Sequence, residues 1–327
     1  MAMNRFAYAR AATVSEALDA LGEGCLPLAG GTDLLSMAKE DLIAPECLVD
    51  IKRLPGLDGI EEKEDGLHIG AMVRLSVLAN DPAVTGCAEL ACLYEALLHT
   101  ASPQLRHMAT LGGNLLQRPH CWYFRNKLTH CLRKGGQTCY AFRGENKYHA
   151  ILGGGPCYIV HGSDPAVALL ALDASVTVVG PDGERTVPLS EFYLLPREDA
   201  HREVALAPGE LLTEVTVPIP PTGARGTYHK VAERQSWDFG LVTAAVLVVL
   251  QGDVVESARV TMGGVAPVPW RAIESEQALA GQPLSDAAIE AAALAATSGA
   301  RLLQDNAYKI ELAQGVVRQA LRSVQGG

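Results

Sequence analysis

The sequence predicts an α+β protein in which α/β segments come first and a strand-rich domain with a helical tail comes last. Three observations predict it. Short apolar runs alternate with helix-like segments over the first fifty residues, and two Gly-Gly pairs join such segments. Beyond about residue 180, longer strand-like runs give way to two Ala-rich segments. With 327 residues, 48% of them hydrophobic, the chain can form two or three domains with a substantial core.

The N-terminal elements follow from caps and apolar runs. Thr13 and Glu16 form a capping-box pair, which predicts a helix from Thr13 through Leu21. Strands are predicted at 25–29, 47–51 and 67–71.

The C-terminal elements begin with a helix and a strand at 165–180. A shift in composition places a domain boundary between residues 178 and 179. Three further strands are predicted at 210–220, 241–250 and 257–265, and two helices at 285–297 and 304–323.

Charge and hydropathy exclude several partners. The formal charge of −10 disfavours nucleic acid. The most apolar run, 244–250, is too short to span a bilayer, so no membrane insertion is expected. The N-terminal residues lack the apolar region of a signal peptide. We therefore expect a cytoplasmic protein, or a periplasmic one exported together with a signal-bearing partner.

Two glycine turns are candidates for binding a phosphate-bearing ligand. "AGGTDLL" (29–35) joins a predicted strand to a helix, and "TLGGNLL" (110–116) has a similar composition. Glycines let backbone N–H groups approach a phosphate, and the nearby Thr and Asn side chains add donors. Gly-Gly pairs are also common in ordinary turns. The P-loop, the Rossmann fingerprint, H-E-x-x-H and G-x-S-x-G are all absent from the sequence.

The eight cysteines fall into two groups. Cys25, Cys47, Cys87 and Cys92 occur singly in apolar surroundings and are predicted to be buried hydrophobic residues. Cys121, Cys131, Cys139 and Cys157 are separated by nine, seven and seventeen residues within one segment of mixed polarity. Four thiolates suit either an iron–sulfur cluster or a tetrahedral zinc ion, and these spacings do not choose between them.

The segment around these cysteines is basic. Between residues 118 and 149 there are seven Lys or Arg residues and a single acid, Glu145. An anionic cluster with a net charge of about −2 would be stabilised by such cations. A basic loop that docks on an acidic partner subunit is the alternative explanation.

Several motifs in the same order give the chain a resemblance to a known family over essentially its whole length. These are "AGGTDLL", "MATLGGNLLQRPHCWYF", "HGSDPAVAL", "YHKVAERQSWDFGLV" and "MGGVAPVPWR". The chain resembles the FAD-binding medium subunits of the molybdenum hydroxylases, the xanthine dehydrogenase and carbon monoxide dehydrogenase group. It is most similar to members that carry an additional [4Fe-4S] cluster, namely periplasmic aldehyde oxidoreductases and 4-hydroxybenzoyl-CoA reductase.

The resemblance implies an FAD-binding PCMH-type fold of two α/β subdomains, followed by a C-terminal α+β domain of the CO dehydrogenase flavoprotein type. The expected boundaries are 1–55, 56–178 with an iron–sulfur insertion at about 118–157, and 179–327. It implies an FAD site that comprises Leu28, Ala29, Gly30, Gly31, Thr32, Asp33, Leu34, Thr110, Gly113, Asn114, Asp164 and Lys230. The [4Fe-4S] ligands would be Cys121, Cys131, Cys139 and Cys157.

The function implied is that of an electron-transfer flavoprotein subunit, with no catalytic residue of its own. A large subunit with the molybdenum cofactor would oxidise an aldehyde or an aromatic or heterocyclic substrate. A small subunit with [2Fe-2S] centres would relay electrons between the molybdenum and FAD, and FAD would exchange them with an external acceptor. Two alternatives stay open from the residues themselves: a stand-alone flavin oxidoreductase, and a zinc-stabilised scaffold subunit.

Overall fold

The computed structural model describes residues 3–22 and 24–326, so residues 1, 2, 23 and 327 of the predicted domains lie outside the described part. Its first unit is a three-stranded parallel sheet with two helices. The elements are β1 (Ala7–Arg10), α1 (Val14–Ala20), β2 (Cys25–Leu28), α2 (Leu34–Lys39) and β3 (Cys47–Asp50), with β3 in the centre. The predicted cap is confirmed, since Oγ1 of Thr13 accepts a hydrogen bond from the Glu16 N–H at 3.1 Å.

The second unit is a five-stranded antiparallel sheet covered by short helices. Its strands are β4 (Ile60–Lys63), β5 (Gly66–Gly70), β6 (Ser175–Gly180), β7 (Gly183–Pro188) and β8 (Leu211–Val217), in the order β4-β5-β8-β6-β7. Its helices are α3 (Leu75–Leu78), α4 (Pro82–Thr85), α5 (Ala91–His99), α6 (Pro103–Arg106), α7 (Leu111–Leu115), α8 (Trp122–Arg125), α9 (Asp164–Ala171) and α10 (Leu189–Phe192). The long segment between α7 and α9 contains α8 and two 3-10 turns, Leu132–Lys134 and Tyr140–Phe142.

The third unit is a four-stranded antiparallel sheet with three helices. It comprises β9 (Arg225–Val231), β10 (Val242–Gln251), β11 (Val254–Gly263), β12 (Trp270–Arg271), α11 (Ile273–Leu279), α12 (Asp286–Ala295) and α13 (Tyr308–Gln325), with strand order β12-β11-β10-β9. The α+β class is thus confirmed. In the described part of the chain, no helix combines the length and apolarity needed to cross a membrane.

The boundary predicted between residues 178 and 179 is wrong. It cuts through β6, and β7 and β8 belong to the same sheet as β4 and β5. Strand β8 pairs with β5 on one side and with β6 on the other, so the sheet is not complete until Val217. The β8–β5 pairs join residues more than a hundred positions apart and the β8–β6 pairs join residues more than thirty apart, so local composition carries no signal of them.

The segment 110–116, interpreted from the sequence as a second glycine turn, forms a short helix. Residues 111–115 form the helix α7, and Oγ1 of Thr110 caps it by accepting a hydrogen bond from the Gly113 N–H at 3.2 Å. Gly112 is needed for packing, because a Cβ there would lie 2.8 Å from the Cβ of Ala71. Gly112 therefore lets α7 approach the end of β5 closely.

A buried lysine fastens α13 to the rest of the molecule. Lys309 is 1% exposed, and its Nζ donates hydrogen bonds to the carbonyl oxygens of Tyr148 (2.9 Å) and Gly264 (2.6 Å). Burial lowers the pKa of Lys309 to about 7. Tyr148 lies within the cysteine-bearing segment (residues 118–157) and Gly264 follows β11, so one ammonium group joins three parts of the fold.

Lys309 makes stability depend on pH. Its folded-state pKa lies below the ordinary value, so the unfolded chain binds more protons between about pH 7 and pH 10. The free energy of unfolding of the native chain, relative to Lys309→Met, should therefore increase with pH across this window, by at most about 1.4 kcal/mol per pH unit. Urea denaturation from pH 6 to pH 9 measures it, with the exposed Lys63→Met as control. A difference between native chain and Lys309→Met that does not change with pH would contradict this assignment.

Candidate functional site

The two glycine segments are held against each other. A Cβ added at Gly30 would overlap the backbone carbonyl of Met108, just before Thr110 and α7. Gly31 has a φ of 73°, a conformation that favours glycine. The first turn therefore needs both glycines, one for close approach of two backbones and one for its own geometry.

The two segments line adjoining cavities. One, of about 270 Å³, contains most of the predicted first turn together with Thr110 and Gly113. The other, of about 450 Å³, contains Asn114 and Asp164. Thr32, Asp33 and Gly113 line both, so the cavities form one elongated cleft, here called the cofactor cleft. Of the predicted FAD residues, those on the cleft are Ala29, Gly30, Gly31, Thr32, Asp33, Leu34, Thr110, Gly113, Asn114 and Asp164.

Leu28 and Lys230 do not line the cofactor cleft. Leu28 is the last residue of β2 and its side chain is buried in the first unit. Lys230 lies behind Asp164, to which its Nζ donates at 2.8 Å, and it also donates to the His99 carbonyl at 3.0 Å. Lys230 therefore acts on the cleft through Asp164.

Asp164 is held by two donors in a buried position. It is 6% exposed, and its other carboxylate oxygen accepts a hydrogen bond from the Tyr228 hydroxyl at 2.6 Å. Burial raises the pKa of Asp164, and Lys230 and Tyr228 oppose that rise. The cap of α9 is Ser163, whose Oγ accepts from the Ala166 N–H at 3.0 Å. Asp164 is thus free of capping and faces the cleft.

Both carboxylate oxygens of Asp33 are hydrogen-bonded within the protein and are not directed at a ligand. One oxygen accepts from Nη2 of Arg125 at 2.6 Å, and the other accepts from the Arg118 N–H at 2.9 Å. Both donors belong to the cysteine-bearing segment, so Asp33 ties that segment to the first glycine turn.

The four predicted metal-ligating cysteines lie around one small cavity. Cys121, Cys131, Cys139 and Cys157 line it together with Arg133 and His149. Nε2 of His149 lies 3.2 Å from Sγ of Cys121. This group is called the cysteine cavity below. Within residues 3–22 and 24–326, no group of three or more His, Cys, Asp or Glu side chains is arranged to hold a single metal ion.

A buried arginine faces the cysteine cavity. Arg133 is 3% exposed, and its Nη1 donates to Glu203 at 2.7 Å. Nε and Nη2 have no oxygen or nitrogen partner among the described residues. The pKa of Cys157 is lowered to about 6 by the hydrogen bond from Cys139 and by the Arg133 guanidinium, whereas burial raises that of Cys121 to about 11. The cavity thus already favours negative charge at Cys157.

The excess positive charge of the segment is largely neutralised from elsewhere in the chain. Five of its seven cations form ion pairs, namely Arg118 and Arg133 with Glu203, Arg125 with Asp33, Lys127 with Asp41, and Lys147 with Glu233. The sequence alone suggested a basic surface, whereas most of these cations anchor the segment to the protein.

A third cavity, of about 260 Å³, connects the two sites. It shares Gly162, Asp164 and Phe239 with the cofactor cleft. It shares Cys121 and His149 with the cysteine cavity. A ligand group in this third cavity would therefore lie next to the cysteine cavity.

Sequence reasoning missed Ser163, Glu203 and His149. Ser163 donates a hydrogen bond to the side-chain oxygen of Asn114 at 2.5 Å, which orients the Asn114 side chain at the cofactor cleft. The sequence "SDP" is a helix-start signal that could have pointed to Ser163 as a cap. Nothing local marks Glu203 or His149, because their roles arise from contacts with distant segments.

Gly30→Ala tests the close approach of the two segments. The added methyl would overlap a backbone carbonyl that cannot rotate away, so the free energy of unfolding should fall by about 2 kcal/mol or more, with loss of bound flavin. Denaturant unfolding and flavin absorbance measure the two effects. Gly59→Ala is the matched control, since a Cβ there meets no described atom within 4 Å. Equal stability of the two variants would rule out this packing.

Comparison with known proteins agrees with this architecture. Residues 4–220 match the family model described as the FAD binding domain in molybdopterin dehydrogenase, and residues 227–324 match the CO dehydrogenase flavoprotein C-terminal domain. The break between the two models agrees with the corrected boundary after β8.

Individual relatives extend the match over most of the chain. The chain is 40% identical to the aldehyde oxidoreductase FAD-binding subunit PaoB of Escherichia coli, over 82% of this chain and 84% of that protein. It is 29% identical to the carbon monoxide dehydrogenase medium chain of Afipia carboxidovorans, over 97% and 95%. The carbon monoxide dehydrogenase structure from Hydrogenophaga pseudoflava superimposes with a TM-score of 0.79 at 29% identity, covering 100% and 99%. The chain therefore belongs to the family of FAD-binding medium subunits of the molybdenum hydroxylases.

Proposed function

We propose that this chain carries both FAD and a [4Fe-4S] cluster and transfers electrons for a molybdenum-dependent hydroxylase or dehydrogenase. The oxidised substrate, an aldehyde or an aromatic or heterocyclic compound, would bind to a large subunit that holds the molybdenum cofactor. A small subunit with [2Fe-2S] centres would exchange electrons with FAD. The similarity to the E. coli aldehyde oxidoreductase subunit favours an aldehyde.

The residues of the cofactor cleft fit FAD. The cleft is elongated, and it is lined by Gly30, Gly31 and Gly113, where no side chain could be accommodated without displacing neighbouring atoms. Such a cradle suits a diphosphate, which accepts hydrogen bonds from backbone N–H groups. FAD, when bound, exchanges electrons singly or in pairs. The chain would orient it through Asn114 and Asp164 and exclude water through the apolar side chains around Leu116 and Leu212.

The observation that carries the cluster proposal is that Nε and Nη2 of Arg133 lack an oxygen or nitrogen partner at a cavity lined by four cysteines. These two nitrogens of a buried cation carry three N–H groups between them, and buried donors without such partners are rare in folded proteins. Glu203 is shared with Arg118, so one carboxylate faces two guanidinium groups. A cluster held by four thiolates, with a net charge of about −2, would supply the missing negative charge.

The chemistry of the donors favours a cluster over zinc. A structural zinc ion requires its four ligands around one point. A cubane places one thiolate on each of four irons, which suits cysteines that surround a cavity without forming a single-ion group. The cluster, when bound, would exchange one electron at a time. His149 and Cys121 line both the cysteine cavity and the third cavity. They would therefore lie between the cluster and a part of FAD that occupied the third cavity.

Cofactor content tests the proposal. Protein purified without oxygen should contain about one FAD and about four irons per chain, and its absorption should show flavin bands with a broad shoulder near ~400 nm. Flavin without iron would leave only a flavoprotein and overturn the cluster assignment. Stoichiometric zinc without flavin would instead support a scaffold subunit. Activity of the chain purified alone with an aldehyde would contradict the need for a molybdenum-bearing partner.

A further inference from the structure

Two cysteines outside the cysteine cavity lie side by side in the first sheet. Cys25 and Cys47 are register partners on the neighbouring parallel strands β2 and β3. Side chains of register partners project from the same face of a sheet, and both residues are free and half-buried. Adjacent strands are about 4.8 Å apart, within the Cα–Cα distance of about 4.4–6.8 Å that a disulfide requires.

The other two cysteines outside the cavity differ from this pair. Cys92 is fully buried, as the sequence predicted, and burial raises the pKa of its thiol to about 12. Cys87 is half-buried, and its thiol contacts the Glu89 carboxylate at 3.5 Å. The expectation that all four are buried core residues is therefore wrong for three of them. Of these four cysteines, Cys25 and Cys47 are the two that are register partners on neighbouring strands.

We propose that Cys25 and Cys47 form a reversible thiol–disulfide site that closes a covalent ring around the first glycine turn. The ring runs from β2 to β3 and contains Ala29–Leu34 and α2. The site uses none of the cysteines of the cysteine cavity, so it does not depend on the cluster proposal.

The oxidant is a low-molecular-weight disulfide such as oxidised glutathione. One cysteine thiolate attacks it, forms a mixed disulfide and releases one glutathione thiolate. The second cysteine then attacks the mixed disulfide, so that the Cys25–Cys47 bond forms and a second glutathione is released. The two cysteines lose two electrons and two protons, and the two electrons reduce one glutathione disulfide to two thiols.

Closing the ring should stabilise the base of the cofactor cleft. A cross-link between the ends of this segment restricts the unfolded chain, and it fixes β2 against β3 in the folded state. The expected result is a Tm about 5 °C higher in the oxidised protein. A ring of this length removes a moderate amount of conformational entropy from the unfolded chain, and a given stabilisation shifts Tm less in a long chain than in a short one.

Peptide mapping of the full-length protein tests the site. The protein is equilibrated without oxygen at a series of ratios of oxidised to reduced glutathione, alkylated, and digested with trypsin without reduction. Trypsin cleaves after Arg10, Lys39 and Lys52, so Cys25 and Cys47 fall on the separate peptides 11–39 and 40–52. The prediction is a linked pair of these peptides that accumulates with oxidised glutathione and disappears when reduced glutathione is restored.

Matched variants distinguish the site from general oxidation. Cys25→Ser should abolish both the linked peptides and the rise in Tm, whereas Cys87→Ser should retain both. The proposal is overturned if the two peptides remain separately alkylated or glutathionylated at the highest ratio. It is equally overturned if the rise in Tm persists in Cys25→Ser. Iron and flavin content, measured on the same samples, show whether the cofactors change independently of the disulfide.

Discussion

The pairing of Glu203 with two arginines of the cysteine-bearing segment is the constraint on which the site depends. One carboxylate contacts both Arg118 and Arg133 at 2.7 Å, in a position where Glu203 is 8% exposed. Buried charges are costly unless they are paired and hydrogen-bonded. Two guanidinium groups and one carboxylate leave a surplus positive charge beside the cysteines. This surplus positive charge faces the four cysteines of the cysteine cavity.

A second carboxylate connects this arrangement to the cofactor cleft. Asp33 belongs to the first glycine turn, yet its two oxygens are used by Arg125 and by the backbone of Arg118. The turn and the cysteine-bearing segment are consequently positioned by the same residues. This arrangement explains how an irregular segment with little secondary structure is held at a fixed place beside the cofactor cleft.

Local signals in the sequence predicted a large part of the fold and the composition of the site. The Thr13 cap, the C-terminal helices and the strands β2 and β3 depend on neighbouring residues, so they could be predicted from pattern alone, whereas β1 was not predicted. The set of four cysteines was also visible, because its members are unusual in an otherwise apolar chain. The resemblance over several ordered motifs added the flavin site.

Features that depend on distant contacts were not predictable in this way. The sheet that extends to Val217 requires β8 to pair with strands on both sides, and Glu203 reaches Arg133 across seventy residues. The basic segment looked like an exposed surface because its acidic partners lie in other segments. Gly112 was interpreted as part of a turn because glycine is typical of turns. A helix that packs closely on a strand also requires glycine at the contact.

The most direct test of the account is the iron content of Arg133→Gln compared with Arg143→Gln. Both substitutions remove one positive charge from the same segment, but Arg133 is buried at the cysteine cavity and Arg143 is exposed. We expect Arg133→Gln to lose most of its iron while its flavin content stays at about one per chain, and Arg143→Gln to retain both. Equal iron content in the two variants would contradict the proposal that Nε and Nη2 of Arg133 serve an anionic cluster.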